Sequence, residues 1–353
     1  MKGKSLLNFF VALAFAFGSS TFALDNSHDS EVLGNSKLSR EDVLQATLDN
    51  SHDSEVLGNS KLSREDILSD TSGDKKVYHI GICENDLEGA TYAILPGDPD
   101  RVPKIAKYLE NSKKIGQNRE YTSYLGDCGG KKVLVMSTGI GGPSTAIAVE
   151  ELAKIGIKSL IRVGTSGGIQ LGVNAGDLII AQAAVRQEGT SKEYAPIEFP
   201  AVADLDLTVA LRDSAKKLKE NYHLGIVQCK DSFYGQQNPK RMPVDSDLLS
   251  KWKAWIDLGV LCSEMETAAL YVVSSYLRLR AGAILLSVWN QEQEALGISQ
   301  DTSFDCDSAI RVAIDAISSL IKKDLEQSER SLENNEKDLN QSKEQLQSSE
   351  IRI

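Results

Sequence analysis

With 353 residues, 41% of them hydrophobic and 25% charged, the chain is long and apolar enough to bury at least one sizeable core. A formal net charge of -11 and the lack of a strongly basic run exclude an extended nucleic-acid surface, while a local site for a small anion stays open. The five cysteines, Cys83, Cys128, Cys229, Cys262 and Cys306, have neither CxxC nor Cys/His spacing, which points away from a zinc site or a disulfide framework and towards buried small side chains.

Lys2 and Lys4 precede a stretch from Leu6 to Gly18 that is apolar or small except for Asn8, followed by Ser19-Ser20-Thr21-Phe22-Ala23. This pattern reads as a secretory signal peptide over residues 1–23, too short for a membrane anchor. Export to a periplasmic or extracellular space is expected, with no membrane attachment after cleavage; the alternative, in which the segment is no signal peptide, is a cytoplasmic protein, which the cysteine usage fits. Residues 24–75 form a polar arm in which Leu24–Asp42 recurs unchanged as Leu48–Asp66, a period of 24 residues. Its Ser, Asn, Asp and Gly content predicts a spacer with a short helix capped at Ser39 or Ser63, a partner-binding role being the alternative.

From Lys76 to Lys322 short apolar runs alternate with amphipathic stretches. The pattern predicts a strand over Tyr92–Leu95, a helix over Val102–Leu109, a strand over Lys132–Met136 and a helix over Ser144–Ile155. Strands follow at Ser159–Val163 and Asp177–Ala181, then a helix at Val202–Leu218 and a strand at Leu224–Cys229. A helix at Met265–Leu277, a strand at Ala281–Val288 and a helix at Asp307–Lys322 complete the series. Such alternation implies a mostly parallel or mixed sheet covered on both faces, with ligands at the carboxyl ends of its strands. In residues 323–353, Leu325, Leu332, Leu339, Leu346 and Ile353 fall seven apart in a polar sequence. One apolar residue per heptad is half of a coiled-coil seam, so a solvated helical or disordered tail is expected.

Chemistry concentrates in five segments. Gly97-Asp98-Pro99-Asp100-Arg101 is a turn from strand to helix whose Gly97 NH and Arg101 fork could meet an anion, although a plain connection would use the same residues. Ser137–Ser144 is a glycine-rich turn opening a helix, a weak signal by itself. Arg162 lies inside an apolar strand just before Gly164-Thr165-Ser166-Gly167-Gly168, and a charge buried there is costly unless paired or used. Ser263-Glu264-Met265-Glu266-Thr267 places two carboxylates two apart, which in extended geometry point the same way and could accept paired sugar hydroxyls or simply favour a helix start. Asp231-Ser232-Phe233-Tyr234-Gly235-Gln236-Gln237 offers an aromatic face followed by amides, suited to a planar base or to a turn with buried aromatics.

In this order and spacing, GDPDR (Gly97–Arg101), STGIGGPSTAIAVEEL (Ser137–Leu152), RVGTSGGIQ (Arg162–Gln170), EFPAVAD (Glu198–Asp204), DSFYGQ (Asp231–Gln236) and SEMET (Ser263–Thr267) closely resemble the nucleoside phosphorylase-I family, nearest to its uridine-cleaving members. The resemblance spans Val77 to Lys322. It implies a single α/β domain with a mixed, twisted sheet flanked by helices. It also implies phosphate binding by Gly97, Arg101, Arg162 and Thr165, completed by Arg119 of a neighbouring subunit. Ribose would go to Glu264, Met265 and Glu266, with His79 reaching over from the neighbour. The crossing residues imply a homo-oligomer, a dimer-based hexamer. Phe233 would line the pocket, and Gln236 or Gln237 would bind the base edge. No metal or organic cofactor is required; inorganic phosphate is the co-substrate, and a monovalent cation would sit at Glu120, Ile140 and Ser144.

The implied reaction is phosphorolysis of uridine, with deoxyuridine and thymidine as further candidates. Purine-cleaving relatives place a proton-donating aspartate where this chain has Asn290, which favours a pyrimidine and would put Asn290 against the base. Two arginines common in the uridine-cleaving members are replaced, so Lys240 or Arg241 would serve for the first and Gln291 for the second. A purine nucleoside phosphorylase or nucleosidase of the same fold, and a secreted binding or storage protein without turnover, are the alternatives.

Overall fold

The structure is a computed structural model that describes residues 73–302 and 304–350. The signal-like segment and the duplicated arm lie outside the described residues. Among the described residues no helix is long and apolar enough to cross a membrane.

Ten strands form one mixed sheet: β1 (Tyr92–Pro96), β2 (Glu110–Asn118), β3 (Tyr121–Cys128), β4 (Lys131–Met136), β5 (Ser159–Gly168), β6 (Leu178–Arg186), β7 (Ala201–Val202), β8 (Tyr222–Cys229), β9 (Cys262–Glu264) and β10 (Arg280–Asn290). The helices are α1 (Val102–Ala106), α2 (Gly142–Lys154), α3 (Thr190–Tyr194), α4 (Leu205–Leu218), α5 (Phe233–Gln237), α6 (Asp245–Asp257), α7 (Thr267–Leu277), α8 (Gln291–Ala295) and α9 (Asp307–Glu350). The order β10-β6-β8-β9-β5-β1-β4-β3-β2 is supplemented by direct pairing of β10 with β5, so β5, β10, β6, β8 and β9 close on themselves. The other strands extend as an open wing from β5, with β1 and β4 parallel and β3 and β2 antiparallel.

Alternation along β1 divides the core. Tyr92 and Ile94 face one cluster with Val102 of α1, Leu207 and Leu211 of α4 and Ala309, Ala313 and Ile317 of α9. Ala93 and Leu95 face the other, with Val149 and Leu152 of α2 and Leu270 and Val273 of α7. Both faces are therefore covered, as near-continuous apolar strands require.

All eleven predicted elements are present, with shifted ends. The helix predicted from Val202 begins at Leu205, because the Asp204 side chain accepts from the Leu207 NH and Ala201–Val202 pairs with β6 instead. The one predicted from Met265 begins at Thr267, where the Glu264 carboxylate accepts from the NH groups of Glu266 and Thr267. The last helix continues past Lys322 to Glu350. The hairpin β2–β3 has no counterpart in the sequence reading, because β2 is exposed along its first half and lacks an apolar alternation. Helix α6 escapes it for a similar reason, having no buried residue.

Leu134 of β4 is fully buried within the α2–α7 cluster. Leu134→Ala is expected to lower unfolding stability by about 2–5 kcal/mol, read as an earlier urea midpoint at unchanged slope.

Candidate active site

The carboxyl ends of β1, β4, β5, β8 and β10 converge on one cavity of about 1100 Å³. Its floor is made of glycine turns that lie against each other. The Gly139 NH donates to the Gly97 carbonyl (3.0 Å), and a Cβ on Gly97 would sit 3.0 Å from the Gly139 oxygen. Gly139 has φ +73°, and a Cβ there would press on the Glu120 side chain at 2.8 Å. Side chains are thus kept off the floor, and backbone can approach a ligand closely.

Arg162, 4% exposed, enters this floor from β5. Its Nε donates to Glu264 Oε2 (3.2 Å) and one Nη to Glu266 Oε2 (2.5 Å). Nη1, buried, has no partner, and it lies 3.8 Å from where a Gly97 Cβ would be. An unmet guanidinium donor is costly in the interior and is therefore directed at something. Burial opposes the Arg162 charge, but Glu266 and Glu264 hold its pKa above the ordinary arginine value. Burial pushes the Glu266 carboxyl above the usual Glu range, against the pull of Arg162; its other oxygen accepts from the Gly141 NH (2.6 Å). Both Glu264 oxygens accept from backbone NH groups at the start of α7, and Oε2 accepts from Arg162 as well, so Glu264 braces the arginine and caps the helix.

Arg101 flanks the same floor, its Nη1 donating to the Val163 carbonyl (3.2 Å), and Thr165 follows on β5. Glu120, Ile140 and Ser144 lie at one rim, with Ser144 Oγ donating to the Ile140 carbonyl (3.1 Å). A second wall carries Phe233, Tyr234, Gln236, Gln237, Trp252, Trp289 and Gln291, and Met265 also lines the cavity. Gln236 Oε1 accepts from Gln228 Nε2 (3.1 Å), and Gln291 Nε2 lies 3.4 Å from the Gln236 carbonyl. Aromatic faces beside amide groups suit a flat heterocycle.

Three residues expected at the site, Lys240, Arg241 and Asn290, lie elsewhere, and the two expected to serve a neighbouring subunit lie outside their own cavity. His79 and Arg119 sit outside the cavity but next to each other: the Arg119 guanidinium is 5.9 Å from the Tyr78 ring, and Asn118 Nδ2 donates to the His79 carbonyl (2.8 Å). His79 Nδ1 is fixed by Glu151 of α2 at 2.7 Å. Lys240 and Arg241 occupy an exposed turn outside the cavity wall, with the Arg241 guanidinium 5.6 Å from the Tyr234 ring. Asn290 is fully buried: its Oδ1 accepts from the NH groups of Glu292 and Gln293, and its Nδ2 donates to the Gln170 and Val173 carbonyls. With all these bonds made, Asn290 starts α8 and positions Gln291, which corrects its expected contact with a base. Lys230, Trp252 and Trp289 line the cavity without having been singled out in the sequence, since a lone lysine after a strand, a tryptophan in a polar helix and one at the end of an apolar strand carry no pattern. Asn290→Ala is expected to cost about 1–3 kcal/mol of stability in denaturant titration, since it removes a helix cap and leaves two buried carbonyls unpaired.

The chain matches the phosphorylase superfamily over residues 91–322. It is 52% identical over 247 residues to the uridine phosphorylase of Treponema pallidum, covering 70% of this chain and 95% of that protein. It is 40% identical over 248 residues to the uridine phosphorylase of Escherichia coli, covering 69% and 98%. A guanosine phosphorylase of Halorubrum lacusprofundi is 35% identical over 253 residues, covering 69% and 98%. With its glycine floor, its buried arginine and its α/β sheet of the nucleoside phosphorylase-I type, the chain belongs to the phosphorylase superfamily.

Proposed function

We propose that this chain is a pentosyltransferase that cleaves uridine with inorganic phosphate to give uracil and ribose 1-phosphate. The observation that carries the reading is the free Nη1 of buried Arg162, beside a floor of glycines and next to a carboxylate pair. Phosphate occupies that floor, held by the Gly97 NH, Arg101, Arg162 and Thr165. Glu266 accepts the ribose hydroxyls, with Met265 against the sugar, so that phosphate and the anomeric carbon meet at fixed geometry. The base lies against Phe233, and Gln236, Gln237 and Gln291 meet its edge. Glu120, the Ile140 carbonyl and Ser144 would hold a monovalent cation, which would stiffen the adjoining turn electrostatically.

A pyrimidine is favoured because, among the described residues, the wall of aromatics and amides carries no carboxylic acid to protonate a purine. The names of the relatives at 52% and 40% identity support the same choice. Arg119 and His79, adjacent but outside their own cavity, support a homo-oligomer in which each subunit lends them to a neighbour's site. The segment at residues 1–23 supports export.

Uracil release from uridine by the purified chain is expected to require phosphate and to fall by about 10²–10³-fold in Arg162→Ala. Release without phosphate would turn the reading to a nucleosidase, and no release from uridine or inosine to a binding protein. Mixing inactive Arg119→Ala chains with inactive Arg162→Ala chains, with subunit exchange, is expected to restore part of the activity, because some sites then hold both arginines. Additive, unrestored activity would place Arg119 outside any shared site.

A further inference from the structure

Three cations line the cavity among the described residues: Arg101, Arg162 and Lys230. The first two serve the glycine floor. Lys230 follows β8, is 7% exposed, and its NH donates to the Glu264 carbonyl (3.1 Å). Its Nζ donates to Ser263 Oγ (2.6 Å), which takes one of the three ammonium protons and leaves two for a ligand. Gln228, two residues earlier on β8, reaches Gln236, and Ser263 pairs across the sheet with both Gln228 and Gly167. The ammonium therefore lies where the carboxylates Glu264 and Glu266 give way to the amide wall. Burial lowers its pKa from the ordinary lysine value, while Glu264 and Glu266 oppose that shift. A buried ammonium with spare donors, inside a cavity, is costly unless a ligand uses it.

We propose that Lys230 is the group that takes up the negative charge leaving with the base, its ammonium meeting the pyrimidine carbonyl next to the bond that breaks. The inference rests on the phosphorolysis reading. In that reaction a phosphate oxygen forms the new bond to C1′ while the C1′–N1 bond breaks, and the electron pair of the broken bond passes to the pyrimidine ring and its carbonyl oxygens. Hydrogen phosphate brings the proton that neutralises the departing base in the overall balance. The amides of Gln236, Gln237 and Gln291 can meet ring atoms but carry no charge, and Lys240 and Arg241 are outside the wall. A preorganised cation in a site shielded from water stabilises such developing charge far more than a solvated one.

The test is single-turnover base release from uridine and from 5-fluorouridine, whose base is more acidic and leaves more easily, by the full chain and by Lys230→Met and Lys230→Gln. Both variants are expected to lose about a hundredfold on uridine and about tenfold on 5-fluorouridine, with phosphate affinity changed less than about twofold. The ratio of the two substrates within one preparation does not depend on how much of a variant has folded. Equal losses on both substrates, loss confined to phosphate affinity, or no loss would overturn the assignment. Failure of the unsubstituted chain to release either base with phosphate would overturn the phosphorolysis reading, and this inference with it.

Discussion

Everything at the site depends on keeping Arg162 charged in the interior. An isolated guanidinium there would cost many kcal/mol, and two carboxylates placed beside it would repel one another without it. The three groups are stable only as a unit, and each is anchored separately: Arg162 in β5, Glu264 at the start of α7, and Glu266 by the Gly141 NH. Two sides of the guanidinium are consumed and Nη1 is left over. The direction of the unused donor is thus set by the fold before any ligand arrives, and this is the preorganisation that transition-state electrostatics requires.

The closed set of strands explains how such a unit can be built. β9 is three residues long, yet it pairs with both β5 and β8, and this brings Ser263 and Glu264 beside Gly167 and Cys229. A longer β9 would fill the end of the sheet. Ending it at Glu264 frees the next two residues to turn inward and start α7. The register shift in β10 between Ser287 and Trp289 has a related effect, since it realigns Trp289 and Asn290 opposite the glycines of β5. Short strands and bulges at one end of the sheet are what open the cavity.

Much of this was legible in the sequence because it broke local rules. An arginine in an apolar strand and glycines packed after strands are both expensive, and both proved to lie on the cavity floor. The acidic pair was legible as a pair, but its division of labour was not: the spacing puts Glu264 and Glu266 on one side, and only tertiary contacts show that both oxygens of Glu264 are spent on Arg162 and the backbone. Asn290 was placed at the base because it stands where purine-cleaving relatives have their aspartate. The helix-capping geometry that claims it depends on α8, too short to announce itself. Lys230 left no trace at all, since a single lysine after a strand is the commonest of surface features until its burial is seen.

A chain of net charge -11 still gathers cations around its cavity. Arg101, Arg162 and Lys230 in its lining each carry a different load. Arg162 is balanced by two carboxylates, Arg101 is turned partly towards the Val163 carbonyl, and Lys230 rests on a neutral hydroxyl. Neither Arg101 nor Lys230 has a carboxylate as a direct partner among the described residues, and Lys230 is the one that follows the strand whose Gln228 reaches the amide wall. On the proposed reading, phosphate at the floor is met by the arginines, and Lys230 is the cavity cation left, among the described residues, for charge created at the base. A gradient of that kind favours the moment when negative charge moves from the attacking group to the leaving one, and a site with all its cations at the floor would instead hold the co-substrate in its ground state.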